Sequence, residues 1–365
     1  MSAPDHASFR ELDALLSSAS VEVSSRGHQL GGLRDHFPPA TDVTITFLPG
    51  DNYRHNVETA VVLRRAGFNP VPHVAAREMP SLEALDDFLA RLRGEADVTR
   101  ILLVAGDVAA AKGPFKSSHD VRVSGSIEAR GMARVSVAGH PEGHPYLAAA
   151  ATFGGLEAWR DWGQQTRIRV DVVTQFCFES APILGWIAEL EARGMARVSV
   201  AGHPEGHPYL AAATFGGLEA WREWGQQTRI RVDVVTQFCF ESAPILGWIA
   251  ELEARRIELP VIVGLAGPAS PATLTKFALR CGIGNSIRSL RGQIGRFGRL
   301  LADTGPDDVM RGLQSAPKTA TASIAGFHLF PFGGLRKAAG WLRPYRAEML
   351  GRLERTAPAT GSQNP

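Results

Sequence analysis

The chain has few of the features that mark secreted, membrane-bound or nucleic-acid-binding proteins. Its 365 residues include three cysteines, and the absence of a CxxC pair argues against a disulfide framework and for a reducing compartment. No run of about 18 apolar residues and no leader-like N-terminus is present, so we expect a cytoplasmic protein without membrane segments. The 39 basic and 37 acidic residues nearly balance, and no basic tract interleaved with aromatics occurs. Small molecules are therefore the expected partners, and nucleic acid is not.

One segment of the chain occurs twice. Residues 128–190 recur at residues 191–252, with one alanine deleted and Asp161 replaced by Glu223. Repeat architectures drift in sequence and need three or more units to bury a continuous core. Two near-identical copies instead indicate a recent tandem duplication of two strand-helix pairs. Every motif inside the unit therefore has two possible positions in the fold.

Short β-rich runs alternate with helical patterns, which is typical of a parallel sheet with crossover helices. The candidate strands are residues 20–24, 43–48, 69–74, 100–105, 134–138, 170–176, 197–201, 232–238, 259–264 and 322–330. Candidate helices are residues 57–66, 82–93, 182–193 and 271–281. Ser81 can cap the second of these helices. Without one copy the strands number eight, which predicts a (β/α)8 TIM barrel over residues 1–355 and a disordered tail over residues 356–365.

The second copy is difficult to place in such a barrel. Ten parallel strands would leave an interior that the packing layers of an eight-stranded barrel do not fill. We therefore expect eight strands in the wall, with one duplicated βαβα unit displaced or appended. A displaced unit would expose apolar side chains and favour homo-oligomers. Three threadings are open: both strands from copy one, both from copy two, or one from each. We favour copy two, because it runs directly into the next strand.

Polar residues stand at the ends of several candidate strands. In a (β/α)8 barrel these ends meet at one mouth, where active sites lie. The residues in question are Glu22, His73, Asp107 after Gly106, the two HPEGH segments, and Gln175 or Gln237 in the two TQF segments. Each residue taken alone could equally be a packing or turn residue. Their convergence predicts a site at the mouth.

The HPEGH segments do not indicate a metal site. Two histidines four residues apart bind zinc together only when a helix brings them to one face. The segments at His140 to His144 and at His203 to His207 contain proline and glycine, which exclude such a helix. A GxGxxG motif after a strand is also absent, which argues against a Rossmann-type site. A nucleotide cofactor would have to be held by barrel loops.

Five segments together resemble the methylenetetrahydrofolate reductase family. They are VPH at 71–73, LVAGD at 103–107, VAGHPEGHP at 137–145, VTQF at 173–176 and GFHLF at 326–330. The resemblance covers nearly the whole chain apart from one copy and the tails. It implies a (β/α)8 barrel with FAD at its mouth, and NADH or NADPH as electron donor. The implied reaction is reduction of 5,10-methylenetetrahydrofolate to 5-methyltetrahydrofolate, or its reverse, in one-carbon metabolism and methionine biosynthesis.

The same resemblance assigns roles to individual residues. Glu22 matches the general acid that opens the folate's five-membered ring, a task that needs a raised pKa. Asp107 matches the aspartate between flavin and pterin. The positions that match flavin contacts are Thr46, His73, Gly106, Asp107, Ser118, and His203 and His207 or their duplicates His140 and His144. Gln237 or Gln175 matches the glutamine that binds the substrate's pterin, and Arg336 would substitute for the arginine that the family has directly after the last strand.

Two other functions are compatible with the sequence. The duplication could have produced a catalytically inactive protein that still binds flavin or folate. A metal-dependent TIM-barrel hydrolase that uses the histidines is a less favoured alternative.

Overall fold

The computed structural model describes residues 6–25, 34, 37–139, 149–174, 197–202, 231–239, 242–254, 260–270 and 306–356. Ten strands in these ranges form one closed parallel barrel. They are β1 Ser20–Ser24, β2 Asp42–Thr46, β3 Asn69–Ala75, β4 Arg100–Val104, β5 Arg134–Gly139, β6 Arg169–Thr174, β7 Arg197–Gly202, β8 Arg231–Cys239, β9 Val261–Ala266 and β10 Ile324–Phe330. Each strand pairs with its neighbours in chain order, and β10 closes the ring against β1.

Helices cover the outside of this wall in the described ranges. They are α1 His6–Ser17, α2 Tyr53–Arg65, α3 Leu82–Ala96, α4 Ser118–Val123, α5 Ser126–Ala129, α6 Ala149–Thr166, α7 Ser242–Ala254, α8 Asp307–Ser315 and α9 Leu335–Thr356. Two 3-10 turns, Ala76–Glu78 and Lys318–Thr321, follow β3 and precede β10. Helix α3 begins where Ser81 Oγ accepts a hydrogen bond of 3.2 Å from the Ala84 N–H, as a capping serine does.

The ten candidate strands are all present, each within two residues of its predicted ends. The predicted helix over residues 82–93 is also confirmed and extends to Ala96. Helix α2 begins earlier than predicted, because Asn52 caps it through a 3.0 Å hydrogen bond from the Arg54 N–H. The predicted helices over residues 182–193 and 271–281 lie outside the described residues, as does the tail beyond Thr356.

The α/β barrel class is confirmed, but the expected displacement of one copy is wrong. Both copies stand in the wall, with β5 and β6 from copy one and β7 and β8 from copy two. The two pairs have the same register, from Arg134↔Arg169 to Gly139↔Thr174 and from Arg197↔Arg231 to Gly202↔Thr236. Because a whole βαβα unit preserves strand direction, the wall accepts it without an open edge.

Three strand pairings join the two copies to each other and to the strands that would flank a single copy, β4 and β9. Strand β5 of copy one pairs with β4, and β8 of copy two pairs with β9. At the second joint the Gly264 N–H donates a 2.9 Å hydrogen bond to Thr236 Oγ1, beside a register shift between Val235 and Phe238. The remaining joint, β6 with β7, pairs at Val172↔Val198 and Val173↔Ser199. The preference for copy two alone is therefore wrong, since each copy supplies one of the original neighbours.

The hydrophobic core lies between the sheet and the helices. Helix-facing side chains of β1 and β2, such as Val21 and Ile45, are at most 4% exposed. Alternate residues of the same strands face the lumen of the barrel, and these, such as Glu22 and Thr44, are only half-buried. Leu102 on β4 is half-buried in the same way. Val71 on β3 and Ser136 on β5, which also face the lumen, are 6% and 7% exposed, so the incomplete filling expected of a ten-stranded interior stays a prediction.

An ionic network lies at the N-terminal end of the barrel. Arg134, the first residue of β5, contacts the carboxylate of Asp171 on β6. Arg169 Nε lies 3.3 Å from the other oxygen of the same carboxylate. Arg100 Nη1 donates a 2.5 Å hydrogen bond to Asp42 Oδ2. The described part of the lumen is therefore bounded by charged pairs at this end.

Helix α2 carries a buried amide that we expect to be destabilising. Asn56 is fully buried, and in the part of the chain that the structure describes neither Nδ2 nor Oδ1 has a hydrogen-bond partner. Replacement by leucine, which has a similar shape, removes the desolvation cost of two unpaired polar atoms. We expect Asn56→Leu to raise the free energy of unfolding by about 1–3 kcal/mol in urea denaturation. Asn52→Ala on the same helix should lower it by about 1 kcal/mol, because it removes the cap. A destabilised Asn56→Leu variant would contradict this account.

The shared register also predicts the outcome of removing one copy. Deletion of residues 191–252 leaves β6 facing β9, and Thr174 occupies the position that Thr236 has in the full chain. We expect an eight-stranded barrel that unfolds cooperatively on heating. In amide hydrogen exchange, residues 169–174 should be as protected as residues 231–236 of the full chain. An aggregated product, or rapid exchange at residues 169–174, would show that β6 cannot replace β8.

Candidate functional site

The lumen faces of β1, β2 and β3 bring three of the predicted site residues onto one part of the wall. Glu22 pairs in register with Thr44, and Ser24 pairs with Thr46. Thr44 in turn pairs with Val71, two residues before His73. Because residues two apart share a face of a strand, Glu22, Thr46 and His73 all face the lumen. Thr46 Oγ1 donates a 3.0 Å hydrogen bond to the Val23 carbonyl.

Glu22 is a carboxyl group without a charged partner. Its neighbours Val21 and Val23 point to the helices, and no hydrogen bond or ion pair to its carboxyl is found among the described residues. The group is surrounded by the barrel wall, and burial raises the pKa of Glu22 from 4.5 to about 7, since desolvation disfavours the charged form. The side chain is nevertheless only half-buried. It can therefore carry a proton near neutral pH.

Two neutral histidines lie on the same surface of the lumen. Burial lowers the pKa of His73 and that of His328 from 6.5 to about 4. His328 Nδ1 lies 2.8 Å from Ser20 Oγ on the neighbouring strand β1. Its ring meets that of Phe330 edge-on at 4.5 Å. His73 Nε2 is enclosed and has no hydrogen-bond partner among the described residues.

His328 was not predicted as a site residue, although the sequence contained a signal for it. It interrupts an apolar strand run, Ile324–Phe330, just as Glu22 interrupts its own strand. His328 stands two positions before the end of β10, as Glu22 stands two positions before the end of β1, so the criterion that selected Glu22 applies to His328 as well.

The loop after β4 carries Gly106 and Asp107 at the barrel mouth. Gly106 has φ +96°, and a Cβ there would lie 3.4 Å from Ala75 Cβ, so glycine suits this close approach of β3 and β4. Asp107 is exposed. Ser118 begins the short helix α4 after the same loop.

Arg77 fixes this loop to the preceding one. Its guanidinium donates hydrogen bonds of 2.9, 3.1 and 2.5 Å to the carbonyls of Val108, Lys116 and Ala109. The Arg77 backbone N–H also donates a 2.9 Å hydrogen bond to the Ala105 carbonyl. A buried arginine with its donors on carbonyls is well satisfied. The conformation of the loop that carries Asp107 therefore depends on Arg77, which lies in the 3-10 turn that follows β3.

Two further contacts hold the same pair of loops together. Lys112 contacts the buried carboxylate of Glu78, which also accepts a 3.3 Å hydrogen bond from the Gly50 N–H. Gly113 packs so closely that a Cβ would lie 2.4 Å from the carbonyl oxygens of Met79 and Pro80. The loops after β2, β3 and β4 thus form one connected rim.

The other predicted residues are not all brought to this surface. Arg336 is exposed near the start of α9. His140, His144, His203, His207 and Gln175 lie outside the described residues, and Gln237 stands on β8 with its side chain outside the described set. In the described ranges no group of three or more His, Cys, Asp or Glu side chains could hold a metal ion. Within the same ranges we find no helix with the length and apolarity that a bilayer crossing needs.

Comparison with known proteins gives little beyond the architecture. No family model matches the chain. One similar solved structure is the type I 3-dehydroquinate dehydratase from Clostridium difficile, 11% identical, with a TM-score of 0.40 over 61% of this chain and 82% of that one. Another is the deoxyribose phosphate aldolase from Aeropyrum pernix, 9% identical, with a TM-score of 0.36 over 71% and 91%. Similarities at this level do not bear on the reaction of this chain.

The Arg77 contacts predict a specific local defect. In Arg77→Ala three loop carbonyls lose their donor, so residues 106–116 should become accessible to protease and exchange amide hydrogens at least tenfold faster. We expect a loss of about 2–4 kcal/mol in stability, as for other disrupted buried networks. The control is Arg93→Ala, because Arg93 forms an exposed ion pair with Asp97 and should change stability by under about 0.5 kcal/mol. Unchanged loop protection in Arg77→Ala would refute the assignment.

Proposed function

We propose that the chain is a flavin-dependent oxidoreductase of the methylenetetrahydrofolate reductase type. The observation that carries the proposal is Glu22, a carboxylic acid inside the barrel wall whose pKa is raised to about 7 by burial. Two neutral imidazoles, His73 and His328, lie on the same surface. The Glu22 carboxyl can hold a proton near neutral pH and release it to a bound substrate, as general-acid catalysis requires.

In this reaction Glu22 donates its proton to a nitrogen of the folate's five-membered ring. The C–N bond at that nitrogen breaks, its electron pair stays with the nitrogen, and the carbon becomes an electrophilic iminium. Glu22 leaves the step as a carboxylate. Because His73 and His328 are uncharged, no nearby cation on these strands lowers the pKa of Glu22 before the proton is needed. An exposed carboxylate at Asp107 would favour the positive charge that the substrate acquires.

The residues present fit an uncharged ring system such as that of a flavin. The half-buried ring of His73 faces the lumen and is neutral, so it adds no charge where the ring system would lie. When bound, FAD would take a hydride from NADH or NADPH and deliver it to the folate carbon. His73, Gly106 and Ser118 would hold it on this side of the mouth. The HPEGH histidines and the TQF glutamines complete the proposed contacts to flavin and pterin, with Arg336 for the folate tail.

Purification of the full chain tests this proposal. We expect a yellow protein whose flavin absorbance bleaches on addition of NADH or NADPH under anaerobic conditions, and recovers with 5,10-methylenetetrahydrofolate. A colourless protein that does not bind added FAD would contradict the proposal. A flavin that bleaches but does not recover with folate would contradict the assigned substrate. Hydrolase activity that depends on bound zinc would favour the hydrolase alternative.

Glu22→Gln separates the acid role from folding. The amide keeps the size of the side chain and removes its proton, so we expect folate reduction to fall at least about 100-fold, as for other general acids. Bleaching of the flavin by reduced nicotinamide should remain within about threefold, because that half-reaction does not need the acid. In the parent chain, folate reduction should decline as pH rises through about 7.

The free energy of unfolding of Glu22→Gln is the control that separates a lost proton donor from a damaged fold. The pKa of Glu22 is about 7 in the folded chain and near 4.5 when exposed, so the folded state binds more protons between these values. Stability therefore falls as pH rises from 4.5 to 7. Glu22→Gln lacks this loss and should be at least as stable as the parent at pH 8 in urea. Retained folate reduction in a stable variant would remove Glu22 from the mechanism.

A further inference from the structure

The N-terminal end of the barrel wall carries a row of arginines. Five consecutive strands, β4 to β8, begin with Arg100, Arg134, Arg169, Arg197 and Arg231. The first three are register partners across neighbouring strands, and the last two are partners across the next pair. Neighbouring strands lie about 4.8 Å apart, so the wall places residues of like charge side by side. Like charges in directly opposite positions destabilise a sheet.

Carboxylates offset this positive charge only in part. Asp42 Oδ2 accepts a 2.5 Å hydrogen bond from Arg100 Nη1. Asp171 forms ion pairs with both Arg134 and Arg169. These three arginines therefore have two carboxylates between them, which leaves one positive charge without a counterion within the group.

The duplication has repeated the imbalance. Each copy of the unit brings two arginines and one aspartate to the first three residues of its two strands. They are Arg134, Arg169 and Asp171 in copy one, and Arg197, Arg231 and Asp233 in copy two. Each copy thus adds one net positive charge to this end of the wall.

The guanidinium groups of copy one retain donors for a further anion. Arg134 and Arg169 both use Nε to reach Asp171, one on each carboxylate oxygen. Among the described residues no hydrogen bond from an Nη group of either arginine is found. A guanidinium held at Nε still presents its two Nη groups as a fork. Such a fork binds two oxygens of one oxyanion with good geometry.

Solvent reaches these arginines but not the carboxylate between them. The side chains of Arg134 and Arg169 are 24% and 50% exposed, whereas that of Asp171 is 6% exposed. Asp171 therefore holds the two guanidinium groups in place from the inside. Arg100 is 34% exposed, and its enclosed Nε has no acceptor within the described ranges. Burial, together with the charges of Arg100 and Arg169, lowers the pKa of Arg134, so an added negative charge here would be favourable.

We propose that the N-terminal end of the barrel binds a phosphate group, with the forks of Arg134 and Arg169 on its oxygens and Arg100 beside them. A phosphate has enough oxygens for two forks and carries close to two negative charges at neutral pH. A carboxylate has only two oxygens and one charge. The group belongs either to free phosphate or to a small phosphorylated metabolite. The site lies at the opposite end of the wall from Asp107 and does not depend on the redox reaction proposed above.

The test measures phosphate binding to the full chain. Isothermal titration calorimetry at low salt should show one saturable site, with a dissociation constant on the order of 1 mM for so small a ligand. Acetate at equal ionic strength should bind at least about tenfold more weakly, because it lacks the oxygens for a second fork. A structural ion-pair network without a ligand predicts no saturable binding of either anion.

Methyl phosphate identifies the source of the phosphate group. An affinity within about threefold of that of inorganic phosphate would assign the site to a phosphorylated metabolite, since an ester leaves three oxygens for the forks. An affinity at least about tenfold weaker would assign it to free phosphate, because the fourth oxygen is then required. Either result supports a phosphate site.

Amide hydrogen exchange locates the bound anion. A ligand that binds only the folded state suppresses local opening around its site. Phosphate should therefore slow exchange at residues 133–136 and 168–171, at the start of β5 and β6. Residues 106–116 at the opposite end of the barrel should exchange as they do without phosphate.

Variants of Arg169 test the fork at an exposed position. Arg169→Gln should weaken phosphate binding about tenfold, and Arg169→Lys about threefold, because lysine keeps the charge but not the two-pronged geometry. Arg311→Gln is the matched control. It removes the same charge from an exposed arginine that pairs with Asp308 on α8, and it should bind phosphate as the parent does. Circular dichroism and thermal unfolding verify that each variant is folded.

Several results would overturn the proposal. These are the absence of saturable phosphate binding, acetate binding as tight as that of phosphate, or protection at residues 106–116 in place of the strand starts. A loss in Arg311→Gln equal to that in Arg169→Gln would also overturn it, since net charge alone would then explain binding. Flavin enters none of these measurements, so their outcome leaves the proposed reductase neither supported nor refuted.

Discussion

Edge-to-edge hydrogen bonding around a closed parallel sheet is the constraint on which this molecule depends. A parallel strand in a closed wall must have a partner on both sides, because an open edge leaves a row of unpaired N–H and C=O groups. The duplicated unit meets this requirement because it begins and ends in the same strand direction. Its two strands pair with each other in the same register in both copies. The wall can therefore admit the unit whole.

The number of strands then determines what the interior contains. The apolar contacts that stabilise the fold lie between the sheet and its helices, at residues such as Ile45, Leu63 and Leu103. The lumen is not needed for the core, so polar side chains can remain there at moderate cost. Glu22, His73 and His328 remain uncharged, since an unpaired charge inside the wall would be poorly solvated, whereas Asp171 is paired with Arg134 and Arg169. Glu22 holds its proton up to about neutral pH, and His73 and His328 are neutral.

Much of the local structure could be predicted from the sequence. The strands are short β-branched runs between helical patterns, and α3 has both its serine cap and its leucine spacing in the sequence. Glu22 was recognisable as a polar residue within an apolar strand, and the same criterion would have found His328. All ten strands could be predicted, but not that all ten stand in one wall, because closure is a property of the whole wall. Arg77 was equally hidden, since its guanidinium bonds carbonyls 31 to 39 residues away.

The joint at Thr236 and Gly264 has a consequence for how such a barrel can change through evolution. Since Thr174 and Thr236 occupy equivalent positions in identical surroundings along the chain, either can stand beside β9. Gain or loss of one unit would then alter a single pairing, β6 with β7, and leave every other neighbour in place. Because each unit contains two strands, the number of strands in this wall changes by two when a unit is gained or lost. The width of the lumen can change by mutation of copy number alone, without a single substitution in the residues that line it.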